Sequence, residues 1–220
     1  MNFIAIQKIL IWAIPLLFAI TLHEVAHGWA AYFLGDKTAL WLGRLSLNPI
    51  KHIDPLGTII VPFALLIMSN AVFGWAKPVP IQYANLKRPK TDLIWIALAG
   101  PTANLVMACL WSGLTYVLII SSDTPSSQAL LLQMAQAGIS INLFLMLLNL
   151  LPIPPLDGSR ILRGLLPNRF IYYFDQIEPY GLWIVIALWL TGILSYWIIP
   201  LFQVLYQALN PLFHLYAHAI

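Results

Sequence analysis

The residues best equipped for chemistry stand close together near the N-terminus: His23, Glu24 and His27, in the run His23-Glu-Val-Ala-His27. On an α-helix, residues four apart share a face about one turn apart, so both imidazoles can reach a single metal ion. Glu24 stands beside the pair, where a carboxylate can take a proton from water activated by that metal. This spacing suits zinc, with the glutamate as general base. The blander reading is a polar helix face lining a water-filled cavity, or a hydrogen-bond network within a helical bundle. The surroundings favour chemistry, because the three side chains interrupt a long apolar run. An ionisable group at membrane depth costs free energy on the order of kcal/mol unless it is paired or coordinated.

A catalytic zinc site takes three protein ligands and keeps a position open for water. Asp157 is the best candidate for the third ligand. It closes an uncharged stretch in Asn149-Leu-Leu-Pro-Ile-Pro-Pro-Leu-Asp-Gly158 and follows three helix-breaking prolines, so its carboxylate can turn inward. The competing reading is an aspartate at a chain reversal before glycine. His52 and Asp54, in Asn48-Pro-Ile-Lys-His-Ile-Asp-Pro55, form an alternative pair, but the prolines and Lys51 around them read as an interfacial turn. His214 and His218 also stand four apart, lack a glutamate and lie near the chain end, so they are assigned no metal. Asn104 and Asn149 are neutral donors beside apolar runs. Either can steady a tetrahedral oxyanion or hold a substrate backbone, or simply hydrogen-bond between helices.

The elements that must position these residues belong to a membrane protein. Hydrophobic residues make up 60% of the 220-residue chain and charged residues only 9%, against about a quarter charged in soluble domains. Four apolar runs, Ile9–Leu34, Leu93–Ile120, Ala129–Leu151 and Tyr180–Tyr206, each reach the roughly 20 residues needed to cross the hydrocarbon core. A fifth, Leu56–Val72, is shorter and contains Pro62, so it either spans or re-enters. If it re-enters, Lys37, Arg44, Lys51, Lys77, Lys87, Arg88, Lys90, Arg160, Arg163 and Arg169 all fall on one side. The positive-inside rule favours that topology, with Lys8 as the exception.

The expectation is therefore an all-α polytopic protein of the cell membrane, a bundle of about four to six transmembrane segments forming one domain over residues 1–220. The first run lacks the basic start and small-residue cleavage site of a signal peptide. The single cysteine, Cys109, excludes an intrachain disulfide, and a net charge of +3 gives no reason to expect nucleic acid as a partner. Phe73-Gly-Trp-Ala-Lys-Pro-Val-Pro-Ile81, rich in proline and aromatics, reads as an extended edge strand or turn associated with the membrane.

Five motifs in order resemble those of the site-2 proteases, a family of intramembrane zinc metalloproteases. They are His23-Glu-Val-Ala-His27, Asn48-Pro-Ile-Lys-His-Ile-Asp-Pro-Leu-Gly-Thr58, Phe73-Gly-Trp-Ala-Lys-Pro-Val-Pro80, Ala99-Gly-Pro-Thr-Ala-Asn104 and Asn149-Leu-Leu-Pro-Ile-Pro-Pro-Leu-Asp-Gly158. The resemblance implies that His23, His27 and Asp157 bind one zinc ion and that Glu24 is the general base and acid. It also implies a transmembrane or membrane-anchored protein as substrate, and a minimal branch of the family without a PDZ domain. A metal transporter or sensor would use the same ligands without needing Glu24. A catalytically silent binder of membrane proteins would have no use for the glutamate either.

Overall fold

The computed structural model of the chain describes residues 3–60, 77–121 and 126–211. Its architecture is helical: α1 (Phe3–Phe33), the short α2 (Thr38–Trp41), α3 (Pro89–Ile120), α4 (Ser126–Asn149), α5 (Asp157–Leu165), α6 (Asn168–Asp175), α7 (Gly181–Leu190) and α8 (Ile193–Leu209). Three helices have the length and apolarity to cross a bilayer, over Ile6–Phe33, Pro89–Ile120 and Ala129–Asn149. They match three of the expected spans.

The fourth expected span, Tyr180–Tyr206, is not one straight helix. Asn168–Leu190 and Ile193–Leu209 meet at 75°. Gly192 at the break has φ +76, a left-handed conformation open to glycine at little steric cost. Counting the bent pair as one crossing brings the number of spans to four.

The spans form a bundle because each packs an apolar face against its neighbours and turns further bulky apolar side chains outward. The helices α1, α3 and α4 pack against one another, α5 packs on α3, and α8 closes against α4. Ala108, Ile139, Leu143, Met146, Leu147, Leu194 and Ile198 fill the core between α3, α4 and α8. The outward faces carry exposed Trp12, Phe18, Leu110, Val117 and Trp197. A soluble bundle would leave those side chains in water, whereas lipid tails solvate them. Near the far end, Arg163 pairs with Asp175 through Nε–Oδ1 at 2.7 Å and Nη2–Oδ2 at 2.9 Å. This bidentate pair ties α6 to α5, the helix that starts at Asp157.

No strand occurs among the described residues. Most of the Leu56–Val72 stretch, the Phe73–Ala76 part of the expected strand, and His214 and His218 lie outside those residues. Lys77–Ile81 is extended chain and joins no ladder. Pro78 and Pro80 remove alternate N–H donors, leaving Val79 N–H as the only donor between them.

Candidate metal centre

His23 and His27 sit one turn apart on the inward face of α1, 7% and 4% exposed. Asp157, 5% exposed, enters from the first turn of α5. Asp157 Oδ2 lies 3.1 Å from His23 Nε2 and 3.1 Å from His27 Nε2, and the two Nε2 atoms are 3.0 Å apart. Among the described residues, this is the one group of three such side chains able to share a metal ion.

The hydrogen bonds behind the imidazoles decide what these three atoms are. His27 Nδ1 lies 2.7 Å from the carbonyl of Ile96. A carbonyl only accepts, so Nδ1 carries a hydrogen, and in the neutral ring Nε2 presents a lone pair. His23 Nδ1 lies 2.6 Å from Asn104 Oδ1, also an acceptor, with the same consequence. Three lone-pair atoms therefore face one another in a buried triangle, and Asp157 Oδ2 receives no hydrogen bond. With both imidazoles neutral, such a cluster is repulsive unless a cation, a metal ion or a proton, stands among its members. The edge of a tetrahedron with bonds of about 2.0–2.1 Å to zinc is about 3.3 Å, close to the distances found. The residues fit the metal. Gly100 of α3 completes the cradle, because a Cβ there would collide with His27 Nε2 and with the ring of His23.

Glu24 is not part of the triangle but borders the same cavity. Its Oε2 accepts a hydrogen bond of 2.8 Å from Val79 N–H. The extended strap around Val79 is fastened at both ends. Lys77 N–H donates to His52 O at 3.0 Å, and Arg44 Nη2 donates to Lys77 O at 2.8 Å. At the other end, Gln82 N–H donates to Asp36 Oδ2 at 2.7 Å. Asp36 is completely buried just beyond α1. Its Oδ1 also accepts from Thr38 N–H, Thr38 Oγ1 and Asn85 Nδ2 at 3.0, 2.5 and 2.9 Å. Burial alone would raise its pKa, but the donors from Asn85, Thr38 and Gln82 outweigh burial and hold the carboxyl below its usual range. The triad, Glu24 and the strap together border a cavity of about 500 Å³, whose walls also include Asn149, Arg160 and Val185.

The sequence relatives are consistent with this geometry. The sequence profile of peptidase family M50 matches residues 112–191, a stretch that includes Asp157 but not the two histidines. A Bacillus subtilis protein named "Putative zinc metalloprotease YwhC" is 38% identical over 86% of this chain and 84% of its own length. The chain belongs to peptidase family M50, the site-2 proteases. Two further relatives carry the same kind of name: Rip2 of Mycolicibacterium smegmatis, 30% identical over 84% of this chain and 68% of its own, and MJ0611 of Methanocaldococcus jannaschii, 35% identical over 76% and 75%. No solved structure matches the chain. As an M50 member it is a zinc metalloprotease and a multi-pass integral membrane protein.

The other residues singled out in the sequence of this M50 protein fall in different places. Asn149 reaches the cavity wall, with Nδ2 donating to Leu145 O at 2.9 Å. Asn104 does not line the cavity; it is fully buried behind His23. His52 and Asp54 are turn residues, as their prolines suggested. His52 Nε2 donates to Ser46 O at 2.8 Å, and Asp54 Oδ1 accepts from Leu56 N–H and Gly57 N–H at 2.9 and 2.8 Å. The sequence reading missed Asp36, Asn142 and the Val79 N–H. For Asn142 a signal existed: an amide in the middle of an uncharged span needs a buried partner. For Val79 none did, since a backbone donor has no residue-type signature.

Proposed function

We propose that residues 1–220 act as one integral-membrane protease domain that hydrolyses peptide bonds in transmembrane or membrane-proximal segments of other proteins, as in regulated intramembrane proteolysis. The observation that carries this reading is the convergence of three buried lone-pair atoms between membrane-spanning helices, with Glu24 on the same cavity. His23 Nε2, His27 Nε2 and Asp157 Oδ2 hold the zinc. A bound zinc ion supplies Lewis acidity there, acidifying water and polarising a carbonyl oxygen.

The chain's own groups do the rest. Val79 N–H keeps Glu24 Oε2 occupied, which leaves Oε1 to take the proton of the attacking water. Glu24 then delivers that proton to the leaving amine nitrogen as the C–N bond breaks. Asn149 offers its side-chain amide to the substrate backbone or the developing oxyanion. A helical substrate hides its carbonyls in its own hydrogen bonds. It must unwind to reach the site, and the extended Lys77–Gln82 backbone gives it a surface to lie along.

The test uses purified protein in liposomes with a single-span peptide. The zinc-loaded wild type cleaves the peptide, and Glu24→Gln slows cleavage by about 10²–10⁴ while keeping its zinc. An undiminished rate in Glu24→Gln would remove the glutamate from the mechanism. Cleavage of soluble peptides but of no membrane-embedded one would overturn the substrate assignment.

A further inference from the structure

A chain of hydrogen bonds runs from His23 away from the cavity and through the middle of the bundle. His23 Nδ1 meets Asn104 Oδ1 at 2.6 Å, Asn104 Nδ2 donates to Asn142 Oδ1 at 3.0 Å, and Asn142 Nδ2 donates to Gly138 O at 2.8 Å. It links α1, α3 and α4, and both asparagines are completely buried. Two buried amides are a costly way to fill space between apolar helices, where a leucine would pack without desolvating polar atoms.

The direction of this chain is fixed at its far end. Gly138 O can only accept, so Asn142 must turn Nδ2 toward it and Oδ1 toward Asn104. Asn104 must then offer Nδ2 to Asn142 and Oδ1 to His23. The carbonyl of Ala19, 3.4 Å from Asn104 Nδ2, demands the same orientation. With Oδ1 facing it, His23 carries its hydrogen on Nδ1 and exposes the Nε2 lone pair to the triad. A flipped Asn104 would donate to Nδ1 and place the hydrogen on Nε2, where it blocks ligation.

We propose that Asn142 is a positioning residue of the metal centre: acting through Asn104, it sets the tautomer and ring orientation of His23. Asn104 is then a member of this relay rather than an oxyanion donor. The inference rests on His23 being a zinc ligand, and the experiment separates the two claims.

The experiment is zinc affinity by chelator competition on the purified detergent-solubilised protein, comparing Asn142→Thr with Asn142→Val. The two side chains have nearly the same shape. The threonine hydroxyl can donate to the carbonyl four residues back and accept from Asn104 Nδ2; valine can do neither. The valine variant should bind zinc about tenfold more weakly than the threonine variant, at the low end of the 10–100-fold cost of losing a partner behind a ligand. Equal affinities in the two variants would overturn the proposal. Should neither variant fold, ¹⁵N-histidine NMR of the metal-free wild type, at a pH where the ring is neutral, tests the same point. With no zinc to choose the tautomer, His23 must still carry its hydrogen on Nδ1, and a hydrogen on Nε2 would overturn the proposal. His23→Ala runs in parallel. If it keeps wild-type affinity, the ligand assignment fails; if it loses zinc while the Asn142 pair stays equal, only the relay fails.

Discussion

His23 and Glu24 are adjacent in the chain, yet they are held from opposite sides by different kinds of structure. Behind His23 and His27 stands the membrane-spanning helix α3, whose contributions are Asn104, the Ile96 carbonyl and the bare backbone of Gly100. Glu24 is held by a single backbone N–H on a strap that owes its place to loop residues, above all Asp36. Helix packing is rigid and close, which suits ligands that must keep fixed distances to one ion. A strap fastened by a few hydrogen bonds can be repositioned without unfolding the bundle. The two halves of the site should therefore respond separately, with metal binding following the helices and proton transfer following the strap.

Substitutions can break that separation. The largest effect is expected from Gly100→Ala on the helical side. The added methyl has nowhere to go but into both imidazoles, so zinc affinity should fall by at least the 10–100-fold typical of disturbed ligand support. Chelator competition measures it, and wild-type affinity in this variant would mean that the helices do not set the ligand geometry.

A smaller effect is expected on the strap side. Asp36→Asn keeps one acceptor oxygen for the Thr38 and Asn85 donors but turns an N–H₂ toward Gln82 N–H. The strap should loosen, and cleavage should slow by about tenfold as Glu24 loses its fixed orientation, with zinc content unchanged. Hydrogen exchange across residues 77–88 should rise in step. Loss of zinc from this variant would show that the two halves are one unit.

The smallest expected effect is a pH dependence of stability that sharpens the same contrast. The folded-state pKa of Asp36 is depressed, so its contribution to stability is complete above the ordinary carboxylate pKa of about 3.9 and is lost as pH falls through the lower, folded value. The difference in thermal midpoint between wild type and Asp36→Asn should be constant near neutrality and shrink as pH falls below about 4. A gap that stays constant in acid would mean that the carboxylate charge is not what fastens the strap.

The same contrast explains how much of the molecule could be read from the sequence. The His23–His27 spacing, the long apolar runs and Asp157 after its prolines are local patterns, and the structure brings those residues together. Asn104 was visible as a residue but not in its place, because whether an amide faces a cavity or a histidine depends on helix rotation. The break at Gly192 lay inside an uncharged run, where a glycine permits a left-handed residue without requiring one. The strap was legible only as proline-rich extended chain. Its attachments, Val79 N–H to Glu24 and Gln82 N–H to Asp36, join backbone atoms to residues 55 and 46 positions away. No spacing rule reaches so far.

The central claim is that two histidines and one aspartate, brought from distant parts of the chain, make a single zinc site. Elemental analysis of the purified detergent-solubilised protein tests it most directly, on wild type, His23→Ala, His27→Ala and Asp157→Ala. About one zinc per wild-type chain, lost or much reduced in all three variants, is the predicted result. Zinc retained at the wild-type level in Asp157→Ala would contradict it and place the third ligand elsewhere.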